Sequence, residues 1–149
     1  MSYICSFFGH RDIYDSDIKT ALSIEIARHI AEYNVDTFYV GGYGDFDAMA
    51  VGILYEMKER YPHISTYRIL AYLPTKSEGE NYGKLFPTLF PEGLELVPRK
   101  FAISHRNRWI VNQSDYIIAY VAVSYGGAYE ALKYAKQKKS AVVNLADTS

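Results

Sequence analysis

The sequence predicts a single α/β domain of the Rossmann-like type, in which a doubly wound, mostly parallel sheet carries helices on both faces. Apolar or β-branched runs alternate with segments of helical periodicity along the whole chain. Three of these runs end in a glycine that leads into a helix, at Gly9, Gly41 and Gly126. A length of 149 residues and a hydrophobic fraction of 49% suit one domain with a sizeable core. We therefore assign residues 1–149 to one domain.

The first half of the chain alternates strand and helix. Residues 3–8 form a mostly apolar run that ends at a glycine, which is typical of a buried central strand. From residue 18 to about residue 33, apolar side chains recur at helical spacing, and an acidic or hydroxyl residue before them can cap the helix. Residues 35–40 are β-branched and aromatic and predict a second strand. The second helix, 45–61, ends before Pro62, which cannot continue it.

The second half begins with a strand at 66–72 and a long connection rich in proline and glycine. Within that connection we expect a short helix at 80–86 and a strand at 94–97. The remaining elements are a helix at 104–113, a strand at 115–121, a helix at 127–136 and a strand at 141–145. Strands that are joined through helices in this way lie parallel in the sheet.

Composition excludes several classes of function. The formal net charge is −1 and the pI is about 6.4, so no strong field draws nucleic acid or an anionic membrane, and we expect neither as a partner. The single cysteine, Cys5, lies in an apolar run and has no disulfide partner, as in reduced cytosolic proteins. No apolar run is long enough to span a bilayer, and no signal segment is evident. These features predict a cytoplasmic protein.

Motifs for common cofactors are missing from the sequence. Neither a G-x-x-x-x-G-K-[ST] phosphate loop nor a complete G-x-G-x-x-G fingerprint occurs, which argues against an ATPase and a conventional dinucleotide dehydrogenase. The G-x-S-x-G elbow of the α/β-hydrolases is absent as well. No cluster of His, Cys, Asp or Glu has metal-ligand spacing. We expect no bound metal and no resident cofactor.

The turns that follow the strands form the candidate ligand site. In a parallel sheet these turns meet at the carboxyl ends of the strands, where helix amino ends present free N–H groups to anions. The pattern therefore predicts a phosphate site, although Asp45 could equally serve as a helix cap. The candidate ligand-binding residues in these turns are Gly9, His10, Arg11, Gly41, Gly42, Tyr43, Gly44, Asp45, Ser124, Gly126 and Gly127.

Two charged residues on the later helices extend this site. Arg106 lies in a cationic half-helix that the macrodipole disfavours, so it either pairs with surface acids or holds an anion. Glu130 lies in a first helical turn, where a carboxylate is favoured without any chemistry, but it could also contact a ribose or act on an anomeric carbon. If Arg106 holds an anionic ligand, Arg106→Ala should weaken the binding of a phosphorylated ligand and leave the melting temperature of the unliganded protein nearly unchanged.

The glycine-rich turns and the charged residues together resemble the SLOG superfamily, a Rossmann-like group that includes the LOG cytokinin-activating phosphoribohydrolases. The resemblance rests on the turn 41–44, on Arg106 ahead of Ser114-Asp115, and on residues 126–130. Within the superfamily, the chain most resembles the uncharacterised bacterial members. It implies that Arg106 and Glu130 are the catalytic pair if the protein is an enzyme. The sequence departs from the LOG pattern in that Asn107 and Gly127 stand where the family has lysine and threonine.

Three functions are compatible with these features. The first is binding of a nucleotide or a nucleotide-derived phosphorylated small molecule at the strand ends, as a sensor or a processing module. The second is a nucleoside-monophosphate N-glycosidase, in which Glu130 acts at the sugar and Arg106 holds the phosphate. The third is an interaction scaffold whose site has decayed. A small-molecule ligand is thus the expected partner, and assembly as a homodimer is compatible with the sequence.

Overall fold

The structure is a computed structural model, and it describes residues 2–15, 17–42, 44–73 and 86–146. Six strands form one sheet in the order β4-β3-β2-β1-β5-β6, and every neighbouring pair is parallel. The strands are β1 (Ile4–Gly9), β2 (Thr37–Val40), β3 (Ser65–Ile69), β4 (Thr88–Leu89), β5 (Tyr116–Tyr120) and β6 (Ala141–Asn144). The chain first winds outward from β1 to β4 and then returns to β5, so the strand order reverses between β1 and β5. The predicted α/β Rossmann-like fold class is confirmed.

The helices cover both faces of this sheet. Within the described residues they are α1 (Ile18–Ala31), α2 (Asp45–Arg60), α3 (Ala102–Gln113) and α4 (Gly127–Gln137). Side chains of α1 and α2 pack in one core with Phe7, Phe38 and Ile118, whereas α3 and α4 pack in a second core with Phe8 and Ile117. Adjacent strand residues face opposite cores because side chains alternate along a strand. None of the described helices has the length and apolar character needed to cross a bilayer.

The predicted strand at 94–97 is wrong. Leu94–Leu96 forms a 3-10 turn, and Gly93 enters it with a left-handed backbone of φ 85°. The N–H of Leu94 donates to the carbonyl oxygen of Pro91 at 3.1 Å, so this backbone bonds within its own turn and not to a sheet. The fourth strand is instead the two-residue Thr88–Leu89, which pairs with β3. Most of the helix predicted at 80–86 lies outside the described residues.

A buried polar cluster lies near the amino ends of β1 and β5. His29 of α1 is 1% exposed, its Nδ1–H donates to the carbonyl oxygen of Glu25 at 2.7 Å, and the rings of Tyr33 and Tyr116 meet it edge to face. Burial lowers the pKa of His29 below its usual value of 6.5. Burial also raises the pKa of the neighbouring Cys5 thiol, which stays protonated and unreactive.

This cluster predicts a pH dependence of stability. Because the pKa of His29 is lower in the folded than in the unfolded chain, the unfolded state binds more protons below about pH 6.5. The free energy of unfolding should therefore fall as the pH drops below that value. Urea unfolding at pH 7.5 and at pH 5.5 measures the decrease, and in His29→Gln the decrease should be smaller. An equal decrease in the wild type and in the variant would assign the pH dependence to other groups.

Candidate functional site

A cleft of about 570 Å³ opens at the carboxyl ends of the strands, between β1 and β5. This is the point where the strand order reverses, which is where open parallel sheets bind ligands. The volume lies within the range of small-molecule pockets in proteins. The strand-end cleft is lined by Phe7–Asp12, Tyr14, Gly41, Asp47, Ile103, Arg106, Asn107, Ile110, Val123 and Tyr125–Ala128.

The structure gathers part of the predicted site in this cleft. Gly42 and Gly44 lie in the turn between β2 and α2 but do not line the cleft, and Asp45 begins α2 beside them. Ser124 is exposed in the loop before α4 and is not part of the lining. Tyr43 lies outside the described residues. The predicted residues that line the cleft are Gly9, His10, Arg11, Gly41, Arg106, Gly126 and Gly127.

His10 connects the two strands on either side of the reversal. The ring Nε2 of His10 accepts a hydrogen bond from the backbone N–H of Ala122 at 2.8 Å. The backbone N–H of His10 donates to the carbonyl oxygen of Tyr120 at 3.3 Å. An Nε2 that accepts must be unprotonated, so the neutral ring carries its proton on Nδ1. His10 therefore holds the loop after β1 against the loop after β5, which fixes the width of the cleft.

Arg11 is the accessible cation of the cleft. It is exposed, and among the described residues its guanidinium has no hydrogen-bond or ion-pair partner. Its backbone is fixed, because its carbonyl oxygen accepts the N–H of Asp45 at 2.6 Å. A Cβ on Gly44, where φ is 92°, would lie 2.6 Å from the Cα of Arg11, so the turn approaches this loop closely. The carboxylate of Asp45 accepts the N–H of Ile13 at 2.9 Å and thus also holds the loop.

Arg106 is buried, with 5% of its surface exposed. Its Nη1 donates to the carbonyl oxygens of Gly41 at 3.5 Å and Ile69 at 3.4 Å, at the ends of β2 and β3. Its Nη2 donates to Oδ1 of Asn107 at 2.9 Å. The buried carboxylate of Asp47 borders the same point, since a Cβ on Gly41 would lie 3.0 Å from Oδ2 of Asp47 and 3.3 Å from Nη1 of Arg106. The guanidinium therefore joins α3 to two strand ends, and this burial argues against our expectation that the removal of Arg106 spares the fold.

Glu130 faces a different cavity. The α3–α4 groove has a volume of about 490 Å³ and is lined by Lys100, Ile103, Ser104, Asn107, Arg108, Gly127, Glu130, Ala131, Lys133, Tyr134 and Gln137. The groove shares Ile103, Asn107 and Gly127 with the strand-end cleft. Arg106 lines the cleft but not the groove. The structure thus does not bring Arg106 and Glu130 together in one cavity.

The amino end of α4 offers hydrogen-bond donors to the cleft. Gly126 precedes the helix with φ 95°, and no side chain caps it. The N–H of Glu130 donates to the carbonyl oxygen of Gly126, but those of Gly127, Ala128 and Tyr129 find no acceptor among the described residues. A Cβ on Gly126 or Gly127 would meet no atom within 4 Å, so the approach is open. Such an end suits a phosphate oxygen, whereas the described residues contain no group of three potential metal ligands.

Two exposed aromatic rings also line the cleft. Tyr14 is 93% exposed and Tyr125 is 72% exposed. From the sequence, Tyr43, Tyr125 and Tyr129 lie in the glycine turns and could stack on a base, although packing is the commoner role of a tyrosine. Tyr14 was missed, since a single tyrosine between a strand and a helix carries no distinguishing pattern. The cleft thus combines a cation, free N–H groups and flat apolar surfaces.

Two solved structures share this fold. DNA processing protein A from Helicobacter pylori, whose structure concerns its single-stranded DNA binding mode, superposes with a TM-score of 0.63 over 94% of this chain at 18% identity. DNA processing protein A from Streptococcus pneumoniae superposes with a TM-score of 0.67 over 95% of this chain at 15% identity. The chain spans 63% and 49% of the length of these two proteins. No family model and no curated protein matches the chain.

The likeness corrects two predictions from the sequence. A small-molecule nucleotide-type ligand and the absence of a nucleic-acid partner are both contradicted, because a protein of this fold from H. pylori binds single-stranded DNA. The resemblance to the SLOG superfamily is supported at the level of a compatible Rossmann-like fold. At these identities the comparison establishes the fold of this chain.

Proposed function

We propose that the strand-end cleft binds single-stranded DNA. The observation that carries the proposal is the pairing, in one cleft, of donors for phosphate with exposed aromatic rings for bases. Arg11 and the free N–H groups at the start of α4 supply the donors, and Tyr14 and Tyr125 supply the rings. A charged path for the backbone and aromatic platforms for the bases are what single-strand binding requires. The fold shared with the H. pylori protein supports the same class of ligand.

The geometry favours single strands over duplexes. In a duplex, each base is stacked between its neighbours, and its face reaches a protein ring only after it is unstacked. Tyr14 and Tyr125 are exposed at the cleft, so the bases of a single strand can stack on their rings without first being unpaired. Such stacking contributes about 1–3 kcal/mol per base and tolerates any sequence. It also requires no excess of positive charge over the whole chain, in agreement with a net charge of −1.

Two variants of the cleft test this proposal. Arg11→Ala should lower the affinity for a fluorescent oligothymidylate about tenfold, because a hydrogen bond between charged groups is lost. It should also make the slope of log K against log salt concentration shallower by about 0.7, the value for one phosphate contact on a single strand. Tyr125→Ala should lose about 1–3 kcal/mol of binding free energy without changing the salt dependence. Fluorescence anisotropy at several salt concentrations measures both effects.

Matched controls lie on the other face of the sheet. Tyr55, which is 59% exposed on α2, and Arg60 at the end of the same helix control for the loss of an aromatic ring and of a charge. Tyr55→Ala and Arg60→Ala should bind as the wild type does. Equal affinity for duplex and single strands, or binding that is insensitive to Arg11 and Tyr125, would refute the proposal.

The broader assignments follow from the same proposal. We propose that residues 1–149 form one SLOG-type domain, which rests on the glycine turns and on the Rossmann-like sheet. A cytoplasmic location agrees with a DNA-binding role and with a buried thiol.

A further inference from the structure

We infer that a DNA strand bound in the cleft continues into the α3–α4 groove, where its phosphates contact a row of cations. The inference rests on the proposed function and extends it to a second segment of the binding surface. It assigns the groove to the sugar–phosphate backbone of single-stranded DNA. The cleft then holds bases, and the groove holds the phosphates that lie beyond them.

The groove concentrates positive charge in a chain that has none in excess. Lys100, Arg108 and Lys133 line it, and Lys136 extends the row through a shallow depression that shares Lys133 and Gln137 with the groove. All four cations are exposed. Glu130 is the acidic residue of the lining. With a net charge of −1 for the whole chain, this excess is a local feature of the surface between the two helices.

The cations of the groove are not neutralised by neighbouring acids. In the part of the chain that the structure describes, no residue of this row takes part in an ion pair. Arg108 instead lies 5.4 Å from the ring centre of Tyr134, whose hydroxyl donates to Oδ1 of Asn112 at 3.0 Å. The ring thus holds one cation in place without cancelling its charge. Unpaired, positioned cations of this kind are suited to phosphate oxygens.

The groove is continuous with the cleft. Ile103, Asn107 and Gly127 line both cavities, so the junction lies at the start of α4, beside its free N–H groups. From there the groove follows α4 to Gln137 in its last turn. A helix of 11 residues is about 16 Å long, so the row can accompany several successive phosphates. One strand can therefore occupy both cavities.

The test uses strand length as its variable. Wild-type protein and the double variant Lys133→Ala/Lys136→Ala are titrated with oligothymidylates of about 4 and about 16 nucleotides, the range of site sizes of single-strand-binding domains. The wild type should bind the long strand more tightly than the short one. The double variant should bind the short strand as the wild type does and lose the advantage of the long strand. For the long strand, the slope of log K against log salt concentration should become shallower by about 1.4, or about 0.7 for each of the two lost phosphate contacts.

A charge-matched control separates a local from a general effect. Lys19→Ala/Arg60→Ala removes two cations from α1 and α2, on the opposite face of the sheet, and should keep the long-strand advantage. If the groove variant keeps that advantage, or loses affinity equally for both lengths, the inference is overturned while the proposed function stands. If the wild type binds neither strand, the proposed function fails together with the inference. Thermal melting of both double variants verifies that they are folded.

Discussion

Arg106→Ala is expected to lower the free energy of unfolding by about 3 kcal/mol. The side chain is buried, and its loss leaves the carbonyl oxygens of Gly41 and Ile69 without this donor. Leaving a buried polar group unsatisfied costs about 1–3 kcal/mol, and removing one member of a buried charged network costs about 3–5 kcal/mol. The buried carboxylate of Asp47 borders the same point and would lose a nearby cation. We therefore expect Arg106→Ala to be among the most destabilising single substitutions in this chain.

Urea denaturation of the unliganded protein measures this loss, and Arg108 supplies the control. Arg108 lies on the same helix but is exposed, and its cation contact is with the ring of Tyr134. Arg108→Ala should change the free energy of unfolding by no more than about 0.5 kcal/mol, as surface substitutions generally do. A loss below 1 kcal/mol in Arg106→Ala would show that the hydrogen bonds at the strand ends contribute little.

The burial of Arg106 also decides which residue tests the binding site. A variant that destabilises α3 and the ends of β2 and β3 would weaken the binding of any ligand in the cleft, even if the guanidinium never touched that ligand. Arg11 is exposed in the same cleft, and its side chain holds no other described element in place. Its substitution therefore reports on the ligand, whereas that of Arg106 reports first on the fold.

The sequence was sufficient to predict the sheet because its signals are local. Each major strand is an apolar run that ends at a turn, and chain direction alone places the following glycines at one edge. The two-residue β4 has no such signal, since it exists through pairing with Arg68 and Ile69 of β3. The segment 94–97 is rich in leucine and valine, which predicts a strand. Gly93 instead takes a left-handed backbone and the following N–H groups bond within the turn, so no strand forms there.

The site was less predictable because its contacts join distant parts of the chain. Arg106 bonds to carbonyl oxygens 65 and 37 residues away, and no pattern around position 106 shows that these will surround it. The prediction against nucleic acid failed for a related reason. Net charge describes a field summed over the whole molecule, whereas binding of a single strand depends on a few local donors and rings.

Gly9→Ala is expected to be as damaging as the loss of Arg106, at about 3 kcal/mol. A Cβ on Gly9 would lie 2.5 Å from Cβ of Phe46 and still closer to its ring, so one of the two elements must move. Phe46 is fully buried in the first turn of α2, and its ring stacks on Tyr120 at a centroid distance of 6.5 Å. Overpacking of a dense core costs about 1–3 kcal/mol, and a rigid, enclosed ring is at the upper end.

The matched control for Gly9 is Gly127, another glycine of the same cleft. A Cβ on Gly127 meets nothing within 4 Å, and its backbone lies outside the left-handed region. Gly127→Ala should therefore be neutral or raise stability by up to about 1 kcal/mol, because alanine restricts the unfolded chain. Urea denaturation of both variants measures the contrast. Equal stabilities would mean that Phe46 can shift freely, whereas the expected difference would show that Gly9 is required because α2 packs directly across the end of β1.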